Sequence, residues 1–457
     1  MTHSIIQKSQ LEGANRLDAE YYQPEYLDND RNLERTGFDC LQKLSAIEIT
    51  KGETPLWRGD EYVERGIPFL RSENLIPGGL DLSNLVFISE KVNARMKRSK
   101  IFPNDVLVAI VGATIGQTGL AMDSYAEYNT NQAIAIVRPR NEEIASYLAI
   151  ILETKFCQFQ IDRLKGGGSR DNLDLHEVKI IKIPKVSLST IDYCSSIIQK
   201  MRILEKQIES LYSQAEELLL EELGLKDFKI EDDLTYIVNS LDAESAHRAD
   251  AEYFKPKYNT LISKVKVQMS KLGDLVSIKK GIEPGSEEYQ DEGKLFIRVS
   301  SLSKNGIEDK DQKYLNDELY EKLKKDYEPK VGEILLTKDA TPGIAYVLKG
   351  PVEGIISGGI LRLKLKNDIG PEYLALCINS IIGQWQAERD AGGSVITHWK
   401  PEQIKNLFIP ILPKPTQQKI ADLVRKSHQA RKKSKEFLEE AKRKVETSIE
   451  AQSKGDD

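Results

Sequence analysis

The stretch from about residue 189 to residue 225 decides the fold. From residue 191 it reads IDYCSSIIQKMRILEKQIESLYSQAEELLLEELGL, with no proline and no glycine before Gly224. Its apolar residues recur in alternating steps of four and three, which is the spacing of a helix that packs along a partner helix. The sequence therefore predicts a helix of about 50 Å that ends at Gly224. The residues of this apolar seam are Ile197, Met201, Leu204, Ile208, Leu211, Ala215 and Leu218.

A second helical stretch, at about residues 416–452, is the candidate partner helix. Residues 415–450 carry 10 basic and 6 acidic side chains, whereas residues 189–242 carry 5 basic and 12 acidic ones. Opposite charge and similar length favour an antiparallel pair. Two alternatives remain open: the first helix lies on a single globular core, or two independent domains each end in a helix of their own. The weaker seam of the second stretch consists of Ile420, Val424, Leu438, Ala441 and Val445.

The chain contains a long-period duplication. RLDAEYYQPEY at residues 16–26 returns as RADAEYFKPKY at residues 248–258, with 7 identities in 11 positions. Four further matches follow in the same order, which composition alone does not produce. They are GIPFLRSENL with GKLFIRVSSL, FPNDVLVAIVGATIGQTG with EPKVGEILLTKDATPG, GGGSRDNL with GGSVITHW, and KIPKV with FIPIL.

The duplication predicts an α+β fold with two similar globular domains related by approximate two-fold pseudo-symmetry and separated by two long antiparallel helices. The expected boundaries are 1–188 for the first domain, 189–225 for the central helix, 226–413 for a linker with the second domain, and 414–457 for the distal helix and tail. Each copy should begin with a short helical segment, continue with short mixed strands and end in a helix, a glycine-rich turn and a last strand. The expected strands are residues 68–71, 106–111, 295–299 and 334–337, and the expected helices are residues 142–159 and 371–385.

Composition and motifs exclude several classes of protein. The four cysteines are far apart and show no metal-ligand spacing, so neither a disulfide scaffold nor a structural zinc site is expected, and a reducing cytoplasm fits. No apolar run is long enough for a membrane span, and no N-terminal signal region is present. The five histidines are scattered, and no dinucleotide, P-loop, metalloprotease or nucleophile-elbow motif occurs. An enzyme is therefore the least supported interpretation.

Glycine-containing turns are the candidate ligand contacts, although turns of this kind are more often only turns. GATIGQTG at residues 112–119 and DATPG at residues 339–343 follow apolar strands, where glycine lets backbone N–H groups approach a phosphate. The loops at residues 165–172 and 392–398 combine glycine with hydroxyl, amide and basic groups of the kind that read base edges. With the turns LRSEN and IRVSS, they give the candidate DNA-binding residues Arg71, Ser72, Thr114, Gln132, Lys165, Ser169, Arg170, Asn172, Arg298, Lys338, Thr341, Ser394, Thr397 and His398.

At these residues the sequence resembles the DNA-specificity subunits of type I restriction–modification systems. The carrying motif is GGSVITHWKPEQIKNLFIPILPKPTQQKIADLV at residues 392–424, in which a glycine–hydroxyl loop, a strand ending in Ile-Pro, a second proline and a Gln-rich helix start follow one another. The first copy, KIPKVSLSTIDYCSSII, lacks the second proline and the paired glutamines. The strand followed by GATIG and the later NQA also match the family, whereas the second copy has SGG in place of NQA. The resemblance covers nearly the whole chain.

The resemblance implies a non-catalytic, cytoplasmic subunit whose two target-recognition domains each read half of an asymmetric, split site on double-stranded DNA. It implies docking of two methyltransferase subunits and of restriction–translocase subunits, with S-adenosylmethionine, ATP and Mg²⁺ only on those partners and no cofactor or metal on this chain. Spacer and docking roles would fall to Ile197, Met201, Leu204, Ile208, Leu211, Leu218, Ile420, Val424, Leu438 and Val445. The alternatives are a specificity factor of another methylase-linked phage-defence system, and a coiled-coil adaptor that binds only proteins.

Overall fold

The chain folds into two compact units in a computed structural model that describes residues 4–8, 11, 16–55, 59–82, 84–112, 114–165, 172–226, 228, 235–308, 312–392 and 397–454. The first unit comprises Met1–Glu205 with Lys432–Asp457, and the second comprises Lys206–Arg431. The two long helices therefore each contribute residues to both units, and each unit is described separately below.

The first unit contains a four-stranded antiparallel sheet and a three-stranded mixed sheet. The central strands of the larger sheet, Val106–Ala109 and Ile134–Val137, are buried at every position, as the continuous apolar runs in the sequence require. In sheet order the four strands are Thr50–Lys51, Ile134–Val137, Val106–Ala109 and Thr118–Leu120, and the three are Val86–Ile88, Ile67–Leu70 and Asn129–Thr130. Two-stranded ladders join Phe38–Cys40 to Lys182–Pro184 and Leu75–Ile76 to Gly79–Leu80.

The second unit repeats this topology strand for strand. Its larger sheet has the order Val276–Lys280, Ile360–Leu365, Ile334–Thr337 and Ala345–Val347, and its smaller sheet has the order Lys313–Leu315, Lys294–Ile297 and Gly354–Ile356. The short ladders pair Met269–Lys271 with Phe408–Pro410 and Leu302–Ser303 with Gly306–Ile307. The predicted α+β duplication is thus confirmed, and the four predicted strands lie close to their expected positions.

Two of the predicted helices are each divided in two. The α-helices are Pro24–Thr36, Leu41–Leu44, Glu90–Arg95, Glu142–Ile151, Lys155–Leu164, Leu175–Ile180, Leu188–Glu222, Ser240–Ala246, Pro256–Lys264, Leu272–Leu275, Asp317–Tyr327, Pro371–Asn379, Ile381–Asp390, Pro401–Lys405 and Lys414–Lys454. Single 3₁₀ turns occupy Ala19–Tyr22, Ser72–Asn74, Lys97–Ser99, Ala251–Phe254, Ser286–Glu288 and Val299–Ser301.

A buried hydroxyl group explains each helix break that the sequence analysis missed. The helix expected at residues 142–159 stops before Thr154, whose Oγ1 donates to the carbonyl of Ile151 at 2.7 Å. The helix expected at residues 371–385 stops at Ser380, whose Oγ donates to the carbonyl of Cys377 at 2.9 Å. Serine and threonine side chains compete with the helix backbone in this way. The prediction of single helices was therefore wrong, because neither break carries a proline or glycine.

The first long helix, Leu188–Glu222, packs in the first unit against the C-terminal part of the second long helix, Lys414–Lys454. Thr190 and Ser448 lie 3.4 Å apart through their hydroxyl oxygens, and further along Lys200 contacts the ring of Phe437. As the residue number rises along the first helix, from 190 to 200, the number of the contacting residue in the second helix falls, from 448 to 437. The two segments therefore run antiparallel. Ile197, Met201, Leu438 and Val445 are buried there, as predicted.

In the second unit the remaining parts of the two long helices pack together with the globular core. Ser427 Oγ donates to the carbonyl of Ile208 at 2.9 Å, and Ile420 and Val424 are buried. The buried face departs from the predicted seam, because Ile208, Leu211 and Leu218 are only half-buried, as is Leu204 in the first unit, while Leu219 and Leu223 are buried. The helix end contacts the globular core as well as its partner helix, so its apolar face follows the four-residue step of a straight α-helix.

Individual hydrogen bonds are also duplicated. The hydroxyl of Tyr147 donates to the carbonyl of Pro184 at 2.6 Å, and the hydroxyl of Tyr373 donates to the carbonyl of Pro410 at 2.7 Å. Both tyrosines are almost fully buried, so each bond satisfies a polar group that would otherwise be costly to bury. The last strand of each copy is therefore held to the helix before it in the same way.

One buried position carries a carboxylic acid in the first copy and an amide in the second. Glu153 Oε1 accepts the backbone N–H of Thr118 at 2.8 Å, and burial raises the pKa of Glu153 to about 7. In the second copy Asn379 takes this place, accepting from the N–H of Ala345 at 2.9 Å and donating to its carbonyl at 2.8 Å. A protonated Glu153 imitates that amide, because it can also donate and accept.

Replacing Glu153 with glutamine is expected to remove a pH-dependent part of the stability. The raised pKa means that the folded chain binds a proton that the unfolded chain releases. The stabilisation is complete below the ordinary value of 4.5 and is lost as the pH rises through about 7. Thermal melting should show the glutamine variant more stable than the parent above that pH, by about 1–2 kcal/mol. The exposed Glu143→Gln variant is the control, and an unchanged pH profile in Glu153→Gln would contradict the assignment.

Candidate nucleic-acid interface

The second unit joins two of the predicted loops at the end of the strand Ile334–Thr337. The backbone N–H of Trp399 donates to the carbonyl of Lys338 at 2.7 Å, and that of Ala340 donates to the carbonyl of Thr397 at 2.9 Å. An isolated antiparallel bridge between Asp339 and His398 lies between these two bonds. Lys338, Thr341, Thr397 and His398 therefore belong to one surface, which we call the second recognition loop pair (residues 338–343 with 397–399).

A charged cluster forms the centre of the second recognition loop pair. One carboxylate oxygen of Asp339 bonds the ammonium group of Lys338, and the other lies 2.7 Å from Nδ1 of His398. The side chain of Lys338 is 10% exposed and that of His398 is 58% exposed. Burial alone would raise the pKa of Asp339, but the hydrogen bonds from Lys338 and His398 outweigh it and lower that pKa. Asp339 is thus an anchored carboxylate beneath an exposed imidazole ring.

The predicted turn around Arg298 lies next to the second recognition loop pair, because the smaller sheet connects the two. The N–H of Ser357 donates to the carbonyl of Ile297 at 2.8 Å, and the N–H of Lys338 donates to the carbonyl of Gly359 at 2.9 Å. A β-carbon on Gly359 would lie 2.7 Å from Cγ2 of Val299 and 3.5 Å from Cβ of Asp339. Only glycine lets these segments approach so closely, so the SGG sequence brings the Arg298 turn beside Asp339.

The first unit builds the same junction with Ile110 and Val111 in the places of Lys338 and Asp339. The N–H of Leu173 donates to the carbonyl of Ile110 at 2.9 Å, and a bridge joins Val111 to Asn172. The N–H of Ile110 donates to the carbonyl of Ala133 at 2.8 Å, which places Gln132 beside this junction, where its amide oxygen bonds the hydroxyl of Thr54. This first recognition loop pair (residues 110–117 with 172–173) has Asn172 where the second has His398.

A glutamine fixes the turn of each recognition loop pair. Gly116 and Gly343 adopt the left-handed backbone region, with φ of 88° and 96°. Nε2 of Gln158 donates to the carbonyl of Gly116 at 3.0 Å, and Nε2 of Gln384 donates to that of Gly343 at 2.7 Å. Because the helix after each sheet holds the turn directly, the strand ends are rigid platforms for the loops.

The remaining candidates occupy varied positions. Arg71 pairs with Glu73 at 2.6 Å and donates to the carbonyl of Asn84 at 3.1 Å, next to the half-buried Ser72. Lys165 pairs with Asp162 at the end of its helix. Thr114 is half-buried and Thr341 is exposed, each within its glycine turn. The candidates Ser169, Arg170 and Ser394 lie outside the described residues.

Sequence reasoning included Asp339 in the candidate turn DATPG but did not choose it as a contact residue, although it connects the second recognition loop pair. A carboxylate directly after a strand, followed by Ala-Thr-Pro-Gly, was the only available signal, and it equally suits an ordinary turn. His398 lies 59 residues further along the chain, so the pairing of the two side chains requires the fold.

Within the described ranges, no group of three or more His, Cys, Asp or Glu side chains is arranged to hold a metal ion. The cysteines of the described chain are unpaired, and burial raises the pKa of Cys157, Cys194 and Cys377. The same described part of the chain contains no helix long and apolar enough to cross a membrane.

Comparison with known families identifies both copies. The family model described as the type I restriction modification DNA specificity domain matches residues 46–217 and again residues 264–439. The two matches contain both recognition loop pairs and most of the two long helices.

Individual relatives agree with the family match. The chain is 29% identical over 161 residues to the specificity subunit of the type I restriction enzyme EcoBI from Escherichia coli, covering 35% of this chain and 31% of that protein. It is 24% identical over 414 residues to the MjaIX specificity subunit of Methanocaldococcus jannaschii, covering 84% and 85%. Among solved structures, the S subunit of a type I restriction–modification system from M. genitalium is 15% identical, covers 91% and 95% of the two chains and gives a TM-score of 0.34.

Proposed function

The chain belongs to the type I restriction–modification DNA specificity family, and from this premise we propose that it selects the DNA site for a separate methyltransferase and nuclease. The role is non-catalytic, because the relatives that match are named as specificity subunits. The observation that carries the proposal is the duplicated junction of loops at the ends of the strands Val106–Ala109 and Ile334–Thr337.

Each unit reads one half of a split DNA site, and the two half-sites differ. Exposed His398 with the charged Asp339 beneath it stands in one loop pair, and exposed Asn172 stands in the other. Direct readout depends on the donor and acceptor pattern that side chains present to base edges in the major groove. Two loop pairs of unlike chemistry therefore specify an asymmetric, bipartite sequence.

The two long helices set the distance between the half-sites and dock the partner subunits. Their segments run antiparallel in the first unit and are in contact in the second, and the two helices span 35 and 41 residues. Two methyltransferase subunits bind there and restriction–translocase subunits join the complex, with S-adenosylmethionine, ATP and Mg²⁺ carried by those partners. The exposed Ile203 and the many charged residues of the second helix are available for such contacts.

Phosphate binding should be shared with the partner subunits. Residues 43–185 carry 19 basic and 18 acidic side chains, and residues 271–414 carry 21 and 22. Because contacts to phosphate supply most non-specific affinity, the chain alone should bind DNA poorly, and experiments on DNA need the assembled complex.

Deletion of the gene is expected to remove one split adenine-methylation motif from the genome of the host. The test is methylome sequencing of the host with the gene, without it and with the gene restored. Restoration should return the same motif with the same gap. A methylome that is identical in all three strains would refute the proposed function, provided that the methyltransferase gene is expressed in each.

A further inference from the structure

The hydrogen bond between Asp339 and His398 determines which nitrogen of the imidazole ring is available to a ligand. Nδ1 of His398 lies 2.7 Å from a carboxylate oxygen of Asp339. The hydrogen bonds that lower the pKa of Asp339 keep this group ionised, so it can only accept. The ring must therefore carry its proton on Nδ1.

The opposite ring nitrogen, Nε2, is the one available to a ligand. Lys338, which is 8% exposed, already balances the charge of Asp339 through the second carboxylate oxygen. A neutral ring protonated on Nδ1 has a bare Nε2 that acts as an acceptor. The side chain of His398 is 58% exposed, so a partner can reach this acceptor.

We propose that His398 is a specificity-determining residue that accepts a hydrogen bond at Nε2 from the exocyclic amino group of an adenine or cytosine in the second half-site. Asp339 and Lys338 are positioning residues that fix the tautomer and the ring orientation. This inference rests on the proposed function of site selection on DNA. Among the major-groove atoms of the bases, N6 of adenine and N4 of cytosine are the hydrogen-bond donors.

The first recognition loop pair provides the internal comparison. Asn172 occupies the place of His398, opposite Val111 instead of Asp339. Nδ2 of Asn172 lies 3.5 Å from a carboxylate oxygen of Asp174, but a primary amide both donates and accepts, so Asn172 offers a base its amide oxygen and its second N–H. A fixed acceptor is therefore specific to the second half-site.

The ring tautomer can be tested without DNA. The full chain labelled with ¹⁵N-histidine should show, at mildly alkaline pH, an unprotonated Nε2 and a protonated Nδ1 for the resonance that disappears in His398→Gln. Asp339→Asn should reverse this pattern. Lys338 donates to the side-chain oxygen of residue 339, so the asparagine NH₂ faces the ring, makes Nδ1 the acceptor and moves the proton to Nε2. Protonated Nε2 in the parent protein would overturn the assignment.

The base contact is tested with duplexes that lack single amino groups, bound to the complex assembled with its methyltransferase subunits. Purine replaces each adenine in turn and 2-pyrimidinone replaces each cytosine of the motif found by methylome sequencing. At one position of the second half-site, loss of the amino group should weaken binding about tenfold in the parent complex. The same replacement should have less than about a twofold effect in the His398→Ala complex.

The outcomes separate this inference from the proposed function. If His398→Ala keeps the full amino-group effect at every position, the inference is wrong while site selection stands. If deletion of the gene leaves the methylome unchanged, the proposed function fails whatever the tautomer. Asn172→Ala is the matched control, because its losses should fall in the first half-site only. An unchanged melting temperature of His398→Ala would show that a lost contact, and not unfolding, causes the effect.

Discussion

Replacement of Glu333 with alanine is expected to lower the free energy of unfolding of the second unit by about 3 kcal/mol. The Glu333 carboxylate accepts hydrogen bonds from Nε and Nη2 of Arg362 at 2.7 and 3.0 Å, and from the N–H of Lys330 at 2.8 Å. The two charged side chains are 11% and 7% exposed. Removal of the carboxylate leaves a buried guanidinium group without its anion, which costs far more than an exposed pair contributes.

Hydrogen exchange followed by mass spectrometry can locate this loss of stability. The strands Ile334–Thr337 and Ile360–Leu365, which carry or adjoin the pair, should exchange faster in Glu333→Ala. The control is Glu318→Ala, since Glu318 is 84% exposed and pairs with the exposed Lys322; the expected change is below about 0.5 kcal/mol. A double variant, Glu333→Leu with Arg362→Met, should recover part of the loss. Equal effects of the two alanine variants would refute the buried-pair argument.

The dependence of this contribution on pH has a definite sign. Burial alone would raise the pKa of Glu333, but the hydrogen bonds from Arg362 and Lys330 outweigh it, so its pKa falls below the ordinary 4.5. The stability that Glu333 contributes is therefore present above that value and is lost as the pH falls through the lowered pKa. In the first unit Asp105 bonds Arg138 in the same bidentate way, yet burial dominates there and raises the pKa of Asp105. Acid should therefore weaken the ion pair between Glu333 and Arg362 in the second unit. In the first unit, acid should favour the folded chain with Asp105 protonated, because folding raises the pKa of Asp105.

The sequence predicted the parts of the fold that depend on repeated segments and on local apolar patterns. Seven identities in 11 positions revealed the duplication, and apolar runs marked the central strands of both larger sheets. It could not predict which of its many charged residues would be buried together. Asp105 and Arg138 are 33 residues apart, and Glu333 and Arg362 are 29 apart. Asp105 and Arg138 adjoin the paired ends Val106 and Val137 of two antiparallel strands, whereas Glu333 reaches diagonally to Arg362, whose direct partner on the neighbouring strand is Leu335.

The candidate interface was predicted as separate loops and not as a site. Lys338 and His398 were chosen individually for their side-chain chemistry, and only the backbone bonds to Thr397 and Trp399 show that they share a surface. Asp339 was included only as part of the DATPG turn, because its role depends on two partners, one adjacent and one distant in sequence. The heptad seam predicted the pairing of the helices correctly within each unit. It failed to identify Leu219 and Leu223 as buried, because the globular core that covers them is not visible in the helix sequence.

Removal of one heptad from both long helices is expected to shorten the gap of the methylated motif by about three base pairs. Seven residues of α-helix span about 10 Å, which is close to the rise of three base pairs of about 3.4 Å each. Deletion of residues 202–208 and 427–433 keeps the seam, because Met201 and Ile208 occupy the same heptad position, seven residues apart. The measurement is methylome sequencing of a host that carries the shortened gene with its partner genes.

The shortened protein separates the role of the helices from the role of the loops. Both recognition loop pairs are untouched by the deletions, so the two half-site sequences should persist while only the number of bases between them changes. Deletion of residues 202–208 alone is the matched control, because helices of unequal length cannot keep their packing in the first unit and in the second unit at once and should abolish methylation. If the doubly shortened protein methylates the original motif with its original gap, then the helices do not measure the distance. If it methylates altered half-sites, then the helices help to position the loops themselves.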